Sequence, residues 1–433
     1  MTAPEDRGQQ PFPEQIDVAV IGGGIVGLMA AWHLAEQGVA VAVFEKGTVG
    51  AEQSGLNLGY CRSISRDMAE LPLIQRSLTL WRSLQQTIEE TLGEDLGVRQ
   101  PGMIAMARAP RKIAELEAWR TRAGERQHHV ATLDAARTAS RLPALAAQYP
   151  FALWADQEGW AEPTRAAPAI ARALRGRGVP IIEQCAITAL ATQPSSPTDS
   201  RLVSGLSTAR GTVRADRVLL AAGAWTSRFL AGHGVRLPQI SVRGSLGRLA
   251  ADAPTVTDVP IVTDAYYLRP MVGGGCAFGR AGAPVVPITW DTLRFLPDFR
   301  RHLWRNRTRI KPRVTRETLA MFRRPSPDTE PRTLRSAPPD HATLAKAHRA
   351  ICADFPALAD TPIVEEWAGT IDVTPDALPV IGPVPGLSGL TVATGFSGHG
   401  FGIGPAAGEL AAAFVDGRAP FCDAAPFRVD RFS

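Results

Sequence analysis

The chain has 433 residues, which is enough to bury a large hydrophobic core and to form two domains. Its composition, 45% hydrophobic and 21% charged residues, excludes an intrinsically disordered protein. The net charge of +5 is not accompanied by a nucleic-acid-binding motif or by an aromatic stacking pattern, so no nucleic-acid partner is expected.

Cysteine usage and hydrophobic runs restrict the cellular setting. Five scattered cysteines without C-x-x-C spacing argue against a disulfide framework and against a metal site, and predict a reducing, cytoplasmic environment. No run of 18 apolar residues occurs, so we expect no transmembrane segment. Residues 1–15 are polar and lack the apolar core of a signal peptide, which predicts a short disordered tail.

Residues 16–46 have the pattern of a strand, a tight turn, a helix and a second strand. The turn carries Gly22, Gly24 and Gly27 in G-x-G-x-x-G spacing, and Glu45 ends the second strand. In a dinucleotide-binding fold these glycines allow the turn, the approach of a pyrophosphate and close packing of the helix, while the acid binds a ribose. Glu45 would repel a 2′-phosphate, so NADP is disfavoured. The motif alone leaves FAD and NAD open.

The middle of the chain contains an irregular polar segment, a buried strand and a series of alternating strands. Residues 47–72 are polar and dotted with glycine, and such a long irregular segment is usually functional. A buried strand at 217–222 runs into Gly223, Ala224 and Trp225. Alternation at 240–249, 261–269 and 276–280 then predicts antiparallel strands of a second domain.

The last third contains an arginine-rich segment and a second glycine-rich loop. Residues 300–335 concentrate the basic excess, which is either a solvated face or a docking surface for a partner subunit, an acidic electron carrier or an anionic membrane. A buried strand at 390–394 precedes the loop GFSGHGFGIGP and a helix at 405–415. The N-terminus of that helix can hold an anionic or polarised group.

Four motifs together resemble the D-amino-acid-oxidase-like superfamily of FAD-dependent oxidoreductases. They are the glycine motif with Glu45, LLAAGAW at 219–225, WAGTIDVTPDALPVIG at 367–382 and GFSGHGFGIG at 395–404. The group includes sarcosine and glycine oxidases, D-amino-acid dehydrogenases and γ-glutamylputrescine oxidase. The resemblance implies an α/β fold, with a Rossmann-like FAD-binding domain and an inserted α+β substrate domain built on an antiparallel sheet. We expect the FAD-binding domain at 16–95, 150–225 and 360–433, and the substrate domain at 96–149 and 226–359.

The same resemblance implies FAD as the cofactor. Monomeric sarcosine oxidases attach FAD through a cysteine in the tail region, but no cysteine lies between Cys352 and Cys422, so non-covalent binding is expected. The residues expected to contact the cofactor are Gly22, Gly24, Ile25, Val26, Gly27, Glu45, Lys46, Asn57, Ile187, Ala222, Gly223, Trp225, Gly398, His399, Gly400, Phe401 and Gly402.

The implied reaction is oxidation of a C–N bond in an amine or an amino acid, including N-substituted ones. A hydride leaves the carbon next to a neutral amine for flavin N5, and water hydrolyses the imine. The electrons pass to O2 or to a carrier, and the absence of a lysine between Lys112 and Lys311 disfavours efficient oxygen use. Two alternatives remain: the flavin-bearing subunit of a heteromeric amino-acid dehydrogenase, with the basic segment as its interface, and a flavoprotein monooxygenase.

Arg62, Tyr267, Arg269 and His399 are the candidate catalytic residues. The segment YYLRP at 266–270 resembles the family strand whose tyrosine faces the substrate, and alternation puts Tyr267 and Arg269 on one face. A guanidinium suits a substrate carboxylate. The alternatives are a core aromatic, an ordinary ion pair and a structural histidine. Ile371 takes the place of the tail-motif arginine of glycine oxidases, and Asp372 and Asp376 are expected in capping or turn roles.

Overall fold

The computed structural model describes residues 12–124, 129–194, 201–282, 284–306, 311–315, 318–319 and 338–432. Residues 1–11 of the expected tail, and most of the arginine-rich segment at 300–335, lie outside these described residues. Among the helices that are described, none is both long enough and apolar enough to cross a membrane.

The secondary structure alternates between strands and helices along the whole described chain. The strands, in chain order, are β1 (Gln15–Ile21), β2 (Val41–Phe44), β3 (Tyr60–Cys61), β4 (Met103–Ala107), β5 (Val130–Leu133), β6 (Phe151–Ala155), β7 (Gly159–Trp160), β8 (Ile181–Ile182), β9 (Ile187–Pro194), β10 (Arg201–Thr208), β11 (Gly211–Leu220), β12 (Ile240–Leu249), β13 (Ile261–Val262), β14 (Tyr266–Pro270), β15 (Cys276–Arg280), β16 (Val285–Pro287), β17 (Lys311–Arg313), β18 (Ile363–Val373), β19 (Val380–Pro383), β20 (Leu387–Ser388) and β21 (Leu390–Thr394). The helices are α1 (Ile25–Glu36), α2 (Leu71–Leu92), α3 (Pro110–Ala123), α4 (Ala135–Arg141), α5 (Pro143–Ala146), α6 (Pro163–Gly176), α7 (Thr226–Ala231), α8 (Trp290–Arg294), α9 (Leu296–Asn306), α10 (His341–Asp354) and α11 (Gly404–Asp416).

The first sheet is built around β1. Its order is β19-β21-β11-β1-β2-β8, and β1, β2, β8, β11 and β21 run parallel. The inner residues of β1 and all of β2 are buried, as the continuous apolar runs predict for parallel strands covered on both faces. Strands β9 and β10 extend this sheet as an antiparallel meander beside β11. The carboxyl ends of β1, β2 and β11 therefore meet at one edge.

Two glycines make the β1–α1 connection sterically feasible. Gly22 has a φ of +112°, and a Cβ there would lie 2.4 Å from the Ala221 carbonyl oxygen. A Cβ on Gly27 would lie 2.1 Å from the Gly22 carbonyl oxygen. A side chain at either position would collide with the backbone, so the glycine spacing has the structural cause expected from the sequence.

The second sheet is mainly antiparallel. Its order is β17-β16-β12-β15-β14-β13-β4-β6-β5, and β18 pairs with β12. The sheet includes β6 and β18, which lie within residues 150–225 and 360–433, the ranges expected for the FAD-binding domain. Short apolar runs do not reveal which sheet a strand joins, because that choice depends on distant partners. The expected fold class, a parallel α/β unit combined with an antiparallel sheet, is confirmed.

Candidate functional site

One large cavity lies where the carboxyl edge of the first sheet faces the second sheet. Its volume is about 1380 Å³, which exceeds the range of roughly 300–1,000 Å³ typical of small-molecule sites. Gly27 does not line it, because this glycine serves the packing of α1. The expected cofactor residues that do line it are Gly22, Gly24, Ile25, Val26, Glu45, Lys46, Asn57, Ile187, Ala222, Gly223, Trp225, Gly398, His399, Gly400, Phe401 and Gly402.

At one end of the cavity, the N-terminus of α1 and Glu45 form a polar cradle. The helix has no side-chain N-cap of its own within the described residues, and its Ile25 N–H donates to the Ser54 hydroxyl at 2.9 Å. The Glu45 carboxylate accepts the N–H groups of Gly23 and Gly47, both at 2.7 Å. Burial raises the pKa of Glu45, and these two donors oppose that shift. Backbone donors at a helix N-terminus beside a buried acid fit a pyrophosphate and a ribose.

The second glycine-rich loop forms a further part of the cavity wall. Gly398, His399 and Gly400 line the cavity directly before α11 begins. The loop is fixed from behind by Trp81, whose indole N–H donates to the Gly402 carbonyl at 3.0 Å. The wall thus presents backbone groups and one imidazole on a rigid support.

Asp372 ties the cavity's segments together, which differs from the expected turn role. It is 2% exposed and its carboxylate accepts the side-chain amides of Gln53 and Gln239 and the N–H of Gly395, each at 2.8 Å. Gln53 in turn accepts the Ala224 N–H at 2.9 Å. The irregular segment, the turn after β11, the start of β12 and the second glycine loop therefore meet at one buried charge. Sequence spacing could not indicate this, because the partners are far apart along the chain.

Asp376 has the expected turn role, since its carboxylate accepts the Leu378 N–H at 3.1 Å.

Three of the four candidate catalytic residues line the cavity: Arg62, Tyr267 and His399. The rings of Tyr267 and Tyr60 meet edge to face with centroids 6.1 Å apart. Arg62 donates from one terminal nitrogen to the Ile64 carbonyl at 2.8 Å, while its buried Nε has no hydrogen-bond partner among the described residues. The structure therefore brings together residues that are distant in sequence.

Arg269 is the exception, and its expected place at the substrate is wrong. Its guanidinium makes two hydrogen bonds to Glu162, at 2.8 and 3.0 Å, and the residue is 1% exposed. It also donates to the carbonyls of Leu58 and Pro270 and does not line the cavity. Arg269 is buried in β14, whereas Tyr267 is only half-buried, and the irregular segment around Leu58 covers the Arg269 part of the strand.

Two charged residues near His399 were not predicted from the sequence: Arg66 and Glu70. Arg66 lines the cavity, and burial together with the charge of Arg62 lowers its pKa to about 9. Glu70 is 1% exposed and lies 3.1 Å from His399 Nδ1. Both residues belong to the irregular segment at 47–72 that was expected to be functional. The signal that could have identified them is their charge within this segment.

Glu70, His399 and Arg66 influence one another's protonation. Burial would raise the pKa of Glu70, but the neighbouring His399 and Arg66 hold it below its ordinary value. Burial lowers the pKa of His399, and the charge of Arg66 acts in the same direction. The site therefore combines arginine cations with a buried carboxylate–imidazole pair, an arrangement able to bind an anion and to exchange a proton.

The chain is similar to proteins of known activity. Glycine oxidase from Geobacillus kaustophilus is 26% identical over 422 residues, which cover 96% of this chain and 97% of that protein. 4-Methylaminobutanoate oxidase (formaldehyde-forming) from Paenarthrobacter nicotinovorans is 27% identical over 98% of this chain and 46% of its own length. The solved structure of L-amino acid deaminase from Proteus myxofaciens in complex with anthranilate is 26% identical, has a TM-score of 0.89, and is matched over 98% of this chain and 95% of that one.

A family model described as "DAO: FAD dependent oxidoreductase" matches residues 17–414. The match confirms the expected superfamily, FAD as the cofactor and an oxidoreductase as the class of enzyme. The chain therefore belongs to the DAO family of FAD-dependent oxidoreductases.

Proposed function

We propose that the protein oxidises the C–N bond of an amino acid or N-substituted amino acid, giving an imine that water hydrolyses. The observation that carries this proposal is the continuity of the cavity. The same cavity is lined by the α1 cradle and by Arg62, Arg66, Tyr267 and His399. A reactant held by these four residues would therefore lie in the same cavity as the cofactor.

The cofactor would be held by the two glycine-rich segments. The N-terminus of α1 and its dipole suit the pyrophosphate, and Glu45 suits the ribose. The loop at 398–402 and the N-terminus of α11 suit the polar edge of the flavin, since backbone donors and a helix dipole favour negative charge there. Bound FAD supplies the hydride acceptor.

We infer that FAD binds without a covalent bond to the protein. Cys185 lines the cavity, but burial raises the pKa of its thiol and so keeps it in the unreactive protonated form. Acid precipitation of the purified protein should leave all flavin in the supernatant. A yellow pellet would contradict this inference.

The substrate end favours a compound with both a carboxylate and an amine. Arg62 and Arg66 supply positive charge at the cavity wall, and Ile371, which also lines the cavity, leaves its own position apolar. The names of the relatives above all denote action on molecules that carry both groups. A zwitterion or an N-methylated amino carboxylate is therefore the proposed substrate class.

The test starts from the absorption spectrum of the purified protein, followed by anaerobic addition of glycine, N-methylglycine, 4-methylaminobutanoate, L-phenylalanine and D-alanine. Loss of the flavin bands with at least one of these compounds supports the proposal, and N-methylethylamine, which lacks the carboxylate, should not cause it. Admitting air then separates an oxidase from a dehydrogenase by the speed at which the colour returns. Bleaching by NADPH instead would indicate the monooxygenase.

A second candidate is the flavin-bearing subunit of a heteromeric dehydrogenase. It is favoured by large apolar side chains exposed on α8 and α9, next to the arginine-rich segment: Trp290, Leu293, Leu296 and Trp304. Such a subunit would reduce its flavin with substrate but pass electrons on only with a partner present. Full turnover by the isolated chain with an artificial acceptor and with O2 would argue against it.

We also infer a cytoplasmic location, supported by the five unpaired cysteines.

A further inference from the structure

We propose that His399, oriented by Glu70, is the base that takes the proton from the substrate's ammonium group. This inference rests on the proposed function, because it assigns a residue to a step of that reaction. Amino acids and N-alkyl amino acids are mainly cationic at nitrogen near neutral pH. A cationic nitrogen has no lone pair to assist departure of a hydride from the neighbouring carbon, so the proton must leave first.

The geometry fixes both the orientation and the tautomer of the imidazole. His399 Nδ1 lies 3.1 Å from Glu70 Oε1, and an ionised carboxylate only accepts hydrogen bonds. Nδ1 therefore carries the hydrogen, and Nε2 keeps an unprotonated lone pair. Glu70 is the last residue of the short turn Met68–Glu70, and α2 begins directly after it. Its backbone position is therefore fixed by regular structure on both sides. A base oriented by a buried carboxylate is a recurring arrangement in enzymes.

The surroundings keep this imidazole neutral yet able to accept a proton. The charged groups that act on it are Arg62 and Arg66 from the irregular segment and Glu70. Burial and the two arginines disfavour the cationic imidazole, whereas Glu70 favours it. The second carboxylate oxygen, Glu70 Oε2, is buried and has no hydrogen-bond partner among the described residues. Because no donor to this oxygen offsets its negative charge, the carboxylate can stabilise an imidazolium when one forms on His399.

The whole cluster is complementary to a zwitterion. Arg62 and Arg66 match a carboxylate, and the imidazole–carboxylate pair matches an ammonium group. In the proposed step the substrate N–H bond breaks, its electron pair stays on nitrogen, and a new N–H bond forms at His399 Nε2. Bound FAD would accept the hydride from the adjacent carbon, and water would hydrolyse the resulting iminium ion. The proton on His399 returns to solvent before the next cycle.

The decisive experiment compares two substrates in the anaerobic reduction of the flavin. N-Ethylglycine is cationic at nitrogen at pH 8, whereas the fluorines of N-(2,2,2-trifluoroethyl)glycine make it mainly neutral. The variant is His399→Asn, whose amide can still reach Glu70 but has no group in place of Nε2. We expect it to reduce the rate with N-ethylglycine about 10²-fold or more, the usual contribution of a general base. The rate with the fluorinated compound should change little.

Controls separate a base from a structural residue. His348→Asn changes a histidine that does not line the cavity and should leave both rates unchanged. With His399→Asn, the rate with N-ethylglycine should rise about tenfold per pH unit as free amine becomes available. Glu70→Gln should shift the acid limb of the wild-type pH profile to lower pH, because removal of the carboxylate lowers the pKa of His399.

A second readout does not depend on turnover. In holoenzyme labelled with ¹⁵N-histidine, the His399 signals, assigned by their absence in His399→Asn, should show the Nδ1–H tautomer. Equal slowing of His399→Asn with both substrates, or an Nε2–H tautomer, would overturn the assignment of His399 as the base but would leave the proposed function standing. A wild-type flavin that neither compound reduces would overturn the proposed function for this substrate class, and with it the base.

Discussion

The guanidinium of Arg269 and the carboxylate of Glu162 form a buried ion pair with two parallel hydrogen bonds of 2.8 and 3.0 Å. The side chains are only 2% and 5% exposed. The pair joins β14 of the second sheet to the residue that precedes α6. A feature expected to bind substrate therefore holds the two halves of the molecule together.

The first prediction concerns stability. Arg269→Ala leaves the Glu162 charge buried without its partner, and breaking such a pair costs about 3–5 kcal/mol in the free energy of unfolding. Denaturant titration of the purified variant measures this loss. The matched control is Arg76→Ala at the exposed Arg76–Glu409 pair, where a loss of about 0–1 kcal/mol is expected. Similar losses at both sites would mean that the buried pair has no special role.

The second prediction concerns Gly27. Gly27→Ala puts a methyl group where it would lie 2.1 Å from the Gly22 carbonyl oxygen, so α1 must move away from β1 and the cradle must open. We expect loss of bound FAD, measured as the ratio of flavin to protein absorbance. Gly176→Ala, at the end of α6, puts a methyl group within 4 Å of no atom in the described part of the chain. It should retain full flavin content and gain up to about 1 kcal/mol in the free energy of unfolding. Full flavin content in Gly27→Ala would contradict the assigned role.

Local patterns made β1, α1, β2 and their glycines predictable. Strand, turn and helix there are encoded within a few residues, and the steric need for glycine acts between neighbours. The second glycine loop was recognisable for the same reason. Sequence-based prediction failed where a property depends on distant partners. The burial of Arg269 could not be predicted, because its partners Glu162 and Leu58 are remote in the chain. The same holds for β6 and β18, which lie in ranges expected for the FAD-binding domain but pair with strands of the second sheet.

The hydrogen-bonded pair of Glu70 and His399 is a second feature that the sequence could not reveal. The two residues are 329 positions apart, and neither has a recognisable motif for pairing. Arg66 was missed although Arg62 was selected in the same segment, because an irregular segment has no period from which side-chain directions follow. Composition and motifs identified the family, but the substrate end of the cavity required the fold.

The third prediction concerns Asp372. Asp372→Asn replaces one acceptor oxygen with an amide that donates, although Gln53, Gln239 and Gly395 all donate to this carboxylate. At least one donor loses its partner in a buried network, which costs about 1–3 kcal/mol per group. We expect weaker FAD binding, measured by titration of the apoprotein with FAD and fluorescence detection.

The control for Asp372 is Asp376→Asn in the same tail motif. Asp376 contributes to a turn and to a surface pair with Arg431, so its variant should bind FAD normally. Equal FAD dissociation constants for Asp372→Asn and the wild type would show that the network does not shape the cofactor site.

The last prediction concerns Arg66 and the substrate carboxylate. Burial and the neighbouring charge of Arg62 lower the pKa of Arg66 to about 9, so it is still cationic at neutral pH, and an anion that binds beside it relieves the repulsion. Arg66→Gln should weaken binding of a simple carboxylate, benzoate, followed by the change in flavin absorbance, by about 10–100-fold, the equivalent of one charged hydrogen bond. Aniline, which lacks the carboxylate, should bind both proteins equally. Arg82→Gln, an exposed change of the same charge on α2, should leave benzoate binding unchanged. If Arg66→Gln weakened both ligands alike, Arg66 would shape the pocket rather than bind the carboxylate, and Arg62 alone would be left for that role.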